Sequence, residues 1–258
     1  MRGMRTQTGL LVLVAALAVP TMGAAKDLTL HQRSSIGAHV AKPRDVMEYW
    51  SGNQMVTDDA QQRTIIDMDA RTLTAIDKDQ HTYFIQTFDE MEKQAASMKQ
   101  AMQKRIASLP PQAKQLMGNL DPDAPVTVKP TGKSEKIAGY DAKEYAIEGG
   151  TTKGSIWIAE ALQPPVSPEK AAAFRKAMSG MAGPGGKLAA AMMQLKGLPL
   201  RTTMFGPMGP EQMAVTTEVV EVSEKAPPPD VMKVPDGYQK VAPPSFEMPE
   251  RGGPPRHP

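Results

Sequence analysis

Residues 44–86 read RDVMEYWSGNQMVTDDAQQRTIIDMDARTLTAIDKDQHTYFIQ. Apolar and polar side chains alternate there in short runs: Arg44 to Trp50, Asn53 to Val56, Arg63 to Met68, Arg71 to Ile76 and His81 to Gln86. A period of two is the signature of a strand. Ser51-Gly52-Asn53, Asp58-Asp59, Asp69-Ala70 and Asp77-Lys78-Asp79 separate the runs with turn formers. The connectors are too short for helical crossovers, so the pattern predicts hairpins in an antiparallel meander. Within Arg63 to Asp69, the residues Thr64, Ile66 and Met68 alternate with Arg63, Asp67 and Asp69, which predicts one covered and one wet face. Leu28 to Leu30 predicts a short strand upstream.

Downstream the period changes. Phe88, Met91, Ala95, Met98, Met102 and Ile106 fall on one face of a helix over 87–109, while Glu90, Glu92, Lys93, Lys99, Lys104 and Arg105 solvate the rest. Thr87 with Glu90 has the spacing of a capping box, and Pro110-Pro111 ends the helix. A second β run follows: Val126 to Val128, Lys133 to Ile137, Tyr140 to Ile147 and Gly154 to Ala159. Ser167-Pro168-Glu169 starts a helix over 168–179, and Lys187 to Leu195 predicts a short helix that is apolar nearly all round. Leu198 to Phe205 and Gln212 to Val222 close the domain as strands. The class expected is α+β: a single domain with a curved antiparallel sheet of about ten strands covered on one side by helices. Trp50, Trp157 and Tyr145 are expected to anchor the sheet.

The two ends read differently. Arg2 and Arg5 precede an apolar run from Gly9 to Val19, and Pro20 and Gly23-Ala24-Ala25 follow it. That run has 11 residues, too few to span a bilayer as a helix. Residues 1–25 therefore predict a secretory signal peptide cleaved after Ala25, with no transmembrane segment, and a periplasmic protein that is not a lipoprotein. From Ala226 onward there are ten Pro in 33 residues. Met232 to Tyr238 carries enough apolar side chains to pack as an edge, whereas 243–258 is expected to be a disordered tail.

Composition narrows the function. The chain of 258 residues has 30 Lys+Arg against 28 Asp+Glu and no Cys. Thiol catalysis, disulfides and Cys-ligated metal are excluded, and the near-neutral balance argues against a nucleic-acid partner. Gly132-Lys133-Ser134 resembles the end of a P-loop, but Thr127 stands where the first glycine belongs, so it reads as a turn. Asp67, Asp69, Asp77 and Asp79 read as turn formers rather than a carboxylate cluster. No nucleophile is paired with a base, so no enzyme activity and no cofactor are expected. His31, His39 and His81 with nearby methionines would suit Cu(I), and a copper-binding module stays open as a lesser alternative.

The excess to explain is 19 Met beside 12 aromatic residues, five Phe, five Tyr and two Trp. Flexible thioethers suit either an irregular filled core or a wall that repacks around apolar ligands, and sequence does not separate a full interior from an empty one. The candidate ligand-binding residues are Trp50, Phe88, Met91, Met98, Met102, Trp157, Met178 and Met192, chosen as apolar positions on the covering helices and adjoining strands.

Lys133-Ser134-Glu135-Lys136-Ile137-Ala138-Gly139-Tyr140-Asp141-Ala142-Lys143-Glu144-Tyr145 and Gly154-Ser155-Ile156-Trp157-Ile158-Ala159 resemble the centre of the DUF4412 family. Gly197-Leu198-Pro199-Leu200-Arg201 and Val234-Pro235-Asp236-Gly237-Tyr238 fit the same pattern, so the resemblance covers residues 27–242. The resemblance implies an exported bacterial protein similar in architecture to the LolA and LolB carriers: an unclosed antiparallel β-barrel, with helices plugging the open side. Three expectations of function follow. The first is a non-catalytic carrier of a lipid or an acylated peptide. The second is an envelope sensor or scaffold that binds another protein, and the third is the copper module.

Overall fold

The alternating run folds as the meander its turns predict, but the sheet it enters is larger than expected. In the computed structural model, which describes residues 26–37, 42–110, 126–149, 152–179, 191, 195–208 and 211–243, one sheet takes every strand. The first six are β1 (Leu28–Ile36), β2 (Arg44–Ser51), β3 (Gln54–Asp58), β4 (Gln62–Asp67), β5 (Thr72–Asp77) and β6 (Thr82–Thr87). Then come α1 (Phe88–Ala107), β7 (Thr127–Ile137), β8 (Tyr140–Gly149), β9 (Thr152–Ala159), α2 (Pro168–Ser179), β10 (Leu198–Met208), β11 (Glu211–Ser223) and β12 (Gln239–Lys240). The spatial order is β12-β6-β5-β4-β3-β2-β1-β11-β10-β9-β8-β7, an unclosed sheet of 12 strands. Strand twist accumulated over such a width curls the sheet. With only two helices among the described residues, the protein is predominantly β rather than α+β. The expected leader at 1–25, most of the expected helix at 187–195 and all but the first residue of the expected tail lie outside the described residues.

Two departures from the sequence reading follow from strand pairing. β1 continues six residues past Leu30 because β2 and β11 supply ladder partners on both sides. Its polar side chains also find cross-strand mates, Arg33 on Asp45 and Ser34 on Thr217, so the segment needs no apolar alternation. Gly132-Lys133 is a bulge inside one long β7 rather than a turn between two strands, with the register shifting between Pro130 and Ser134. β7 is also the open edge of the sheet, and Lys129, Pro130, Lys133 and Lys136 discourage another strand from adding there.

The largest departure is at the C-terminus. Val231 is buried against Tyr49, Val56, Ile65 and Ile76, with Met232, Val234 and Tyr238 packed around them. The segment thus crosses the face opposite the helices as a strap, and β12 then pairs with β6 in parallel, the one parallel contact among the described strands. The face carrying Arg63 and Ile65 is therefore covered, not wet. Arg63 is tolerated beneath the strap because its guanidinium donates to Asp58 and to the carbonyl oxygens of Asp230 and Lys233.

The cap of α1 forms as its sequence predicts: Thr87 accepts from the Glu90 amide, and the Glu90 carboxylate accepts from the Thr87 amide at 2.7 Å. Those hydrogen bonds from Thr87 hold the Glu90 carboxyl below its usual range. The family-like glycines have structural causes. Ala138 and Gly139, both at positive φ, make the two-residue turn that lets Ile137 pair with Tyr140. Gly197 has φ of 109°, and a Cβ there would meet the Ala159 carbonyl oxygen at 2.3 Å. Gly139, with φ of 88°, has open space around it. Gly139→Ala is expected to cost about 1–2 kcal/mol from backbone strain alone, and Gly197→Ala about 2–3 kcal/mol more from the clash. Urea denaturation of the two variants side by side checks the difference.

Candidate functional site

The ladder registers place the helix-covered face of the meander in rows. Leu28, Trp50, Met55, Ile66, Leu73 and Gln86 form one row across β1 to β6. α1 and α2 close over it: Phe88, Met91, Phe174 and Ala177 are buried with Ile66 and Met68, and Trp50, Met55 and Leu73 pack against them. The rings of Phe88 and Phe174 lie 5.8 Å apart, and Gln86 donates to Gln94 across the sheet–helix boundary. The neighbouring row on the same face is Leu30, Glu48, Thr57, Thr64, Ala75 and Phe84. Leu30 is fully buried, but the other five are only half-buried.

Glu48 is unusual in that row. Its carboxylate accepts from the indole Nε1 of Trp50 at 2.5 Å and from Nε2 of Gln32 at 2.7 Å. Burial pushes the carboxyl above its ordinary range, and these two neutral donors only partly offset it. No cation pairs with it among the described residues. Several carboxylates elsewhere on the molecule do have cations: Arg63 and Lys78 with Asp58, Arg201 with Glu135 and Glu218.

Apolar cover thins along α1. Phe88, Met91 and Ala95 are 0%, 8% and 6% exposed, whereas Met98 and Ile106, further along the same stripe, are half-buried. Of the other residues expected from sequence to touch ligand, Trp50 stands beside Glu48, while Phe88 and Met91 sit in the packed cluster. Met102 lies in α1, Met178 in α2, and Met192 outside the described residues. Trp157 belongs elsewhere. It stands in the row Glu144, Trp157, Arg201, Glu218, Arg33 and Asp45, under the Arg201 guanidinium at 5.6 Å, and is buried in the cluster of Leu30, Leu198 and Leu200. The bulge between Pro199 and Arg201 turns the sheet at this corner. Glu48 and Gln32 escaped the sequence reading because each looks like a solvated strand residue. The signal was a Glu between Met47 and Trp50 in a run otherwise fit for burial.

A second feature is an open recess of about 300 Å³ lined by Ala146, Ile147, Glu148, Lys153, Gly154 and Phe205. Phe205 is 41% exposed beside it. His31 and His81 do not come together. His31 bonds to Asp45 at 3.1 Å, while His81 stacks on Tyr238 at the β5–β6 turn, several strands away in the sheet order, and His39 lies outside the described residues. Among the described residues no group of three His, Asp or Glu could hold a metal ion. Asp59, Asp67 and Asp77 accept from backbone amides of their own turns, as turn formers do. No helix of the described residues is long and apolar enough to cross a membrane.

The model of a domain of unknown function, DUF4412, matches residues 33–238. No curated protein matches the sequence. Among solved structures, the chain is similar to an uncharacterized conserved protein from Thermus thermophilus, with 8% identity over 84% of this chain and 90% of that one, at a TM-score of 0.44. It is similar to MucB with 12% identity over 85% of this chain and 61% of that one, at 0.38. A LolA superfamily protein from Nitrosomonas europaea shares 10% identity over 81% of this chain and 89% of that one, at 0.29.

Proposed function

The chain belongs to the DUF4412 family, and from that premise we propose that it is an exported, non-catalytic protein that holds an apolar or amphiphilic ligand, a lipid or an acylated peptide. The ligand lies between the outer half of α1 and the half-covered row of β2 to β6. One observation carries this reading: the apolar stripe of α1 is sealed at Phe88, Met91 and Ala95 but only half-covered at Met98 and Ile106. The neighbouring sheet row ending in Ala75 and Phe84 is half-covered too. Met98 is well suited to such a wall, since a thioether repacks around different chains at little cost. The residues at 1–25 have the composition of an export signal, which supports a periplasmic location.

Native mass spectrometry of protein released gently from the periplasm tests this, followed by denaturing extraction. A co-purifying amphiphile in stoichiometric amount is the expected result. A clean apo mass that takes up no added lipid would overturn it.

A further inference from the structure

We propose that Glu48 is the polar anchor of this site, and that the protein prefers amphiphiles carrying a cationic ammonium head over neutral or anionic ones. The inference rests on the ligand-binding reading above and specifies the chemistry of the ligand's polar end. Glu48 lies in the half-covered row, between fully buried Leu30 on β1 and Thr57 on β3. Its two carboxylate oxygens accept one hydrogen bond each, from Trp50 and Gln32, both neutral. A carboxylate has about four acceptor positions, so half of its capacity is left unused by the described residues. Among the described residues its partners are Trp50 and Gln32, and no Lys, Arg or His pairs with it. The adjoining row positions on β3 to β6 are Thr57, Thr64, Ala75 and Phe84, none of which carries charge.

A carboxylate held in place by two neutral donors, with apolar surface beside it and no cation among the described residues, is complementary to one ligand chemistry. An ammonium group supplies the missing charge and donates to the free lone pairs, while its alkyl chain runs along Ala75, Phe84 and the open end of the α1 stripe. Gln32 and Trp50 fix the carboxylate beforehand, so binding has little ordering left to do. A carboxylate-headed chain would meet like charge there, and an alcohol would gain a hydrogen bond without the charge.

The test is calorimetric titration of the full exported protein with dodecylammonium, dodecanol and dodecanoate, each below its micelle concentration. Dodecylammonium is expected to bind about tenfold or more tightly than the other two. Glu48→Gln should remove that preference, so that dodecylammonium and dodecanol bind the variant with equal affinity. The variant keeps the side-chain shape and relieves the cost of a half-buried charge, so it should unfold no earlier than the parent at neutral pH. Wild-type protein gives a second readout that needs no variant. The ammonium preference must fade as pH falls and Glu48 takes up its proton, because the alkylamine itself stays charged. Dodecanol and dodecylammonium binding with equal affinity, or a preference that survives Glu48→Gln, overturns the anchor while leaving the apolar site intact. No binding of any of the three overturns both.

Discussion

Removing residues 226–258 is expected to cost the protein most of its stability. The strap within them, around Val231 to Tyr238, covers Tyr49, Val56, Ile65 and Ile76, which are 8%, 0%, 6% and 2% exposed. Val231 is itself 7% exposed, and a side chain of that kind contributes about 1.5–3 kcal/mol when fully buried. With partial contributions from Met232, Val234 and Tyr238, the strap is worth about 5 kcal/mol, comparable with the whole stability of many domains. The loss also strips two carbonyl acceptors from the Arg63 guanidinium and uncovers the edge of β6 where β12 pairs. The shortened protein should therefore unfold at much lower urea and associate through the exposed face, read by size-exclusion chromatography. Removal of 243–258 alone is the control and should leave the urea midpoint unchanged. A midpoint equal to the parent's after the longer truncation would mean that the strap does not hold the sheet.

Phe88→Ala is expected to cost about 3–5 kcal/mol, the range for a buried aromatic deleted from a packed site. Phe88 is 0% exposed, begins α1 and stacks near Phe174 of α2, so its ring links both helices to Ile66 and Met68. Met98→Ala, two turns and more along the same stripe, should cost about 1 kcal/mol or less, because its side chain is only half-buried. Urea titration of the pair measures how steeply packing decays along the helix. Comparable losses at the two positions would mean that the stripe is sealed along its length, and the ligand-binding reading would lose its support.

The meander was readable because its turns and its apolar alternation agree, each Asp-rich connector falling between runs that end on the same face. The capping box of α1 was readable for the same reason: Thr87 and Glu90 act within one helical turn. β1 beyond Leu30 was not, since Arg33 and Ser34 are satisfied by Asp45 and Thr217, and those partners are distant in sequence. Ile65 looked as though it shared a wet face with Arg63, and only Val231, far along the chain, makes that face an interior. Glu48 is the sharpest case. Its place between Met47 and Trp50 is the one local signal; Leu30, Gln32 and Trp50 surround it only after β1 and β2 pair.

By itself, then, the sequence determined the hairpin ladder, the two helices at 88–107 and 168–179, the absence of thiol chemistry and the family. Each of these depends on residues near one another along the chain or on composition. The tertiary structure alone decided that β1 joins the two halves of the sheet, that the Pro-rich C-terminus covers a face, and that the half-buried Glu48 carboxylate has no counter-ion among the described residues. Those depend on which surfaces meet across long sequence separations, where burial is set by partners that no local pattern specifies.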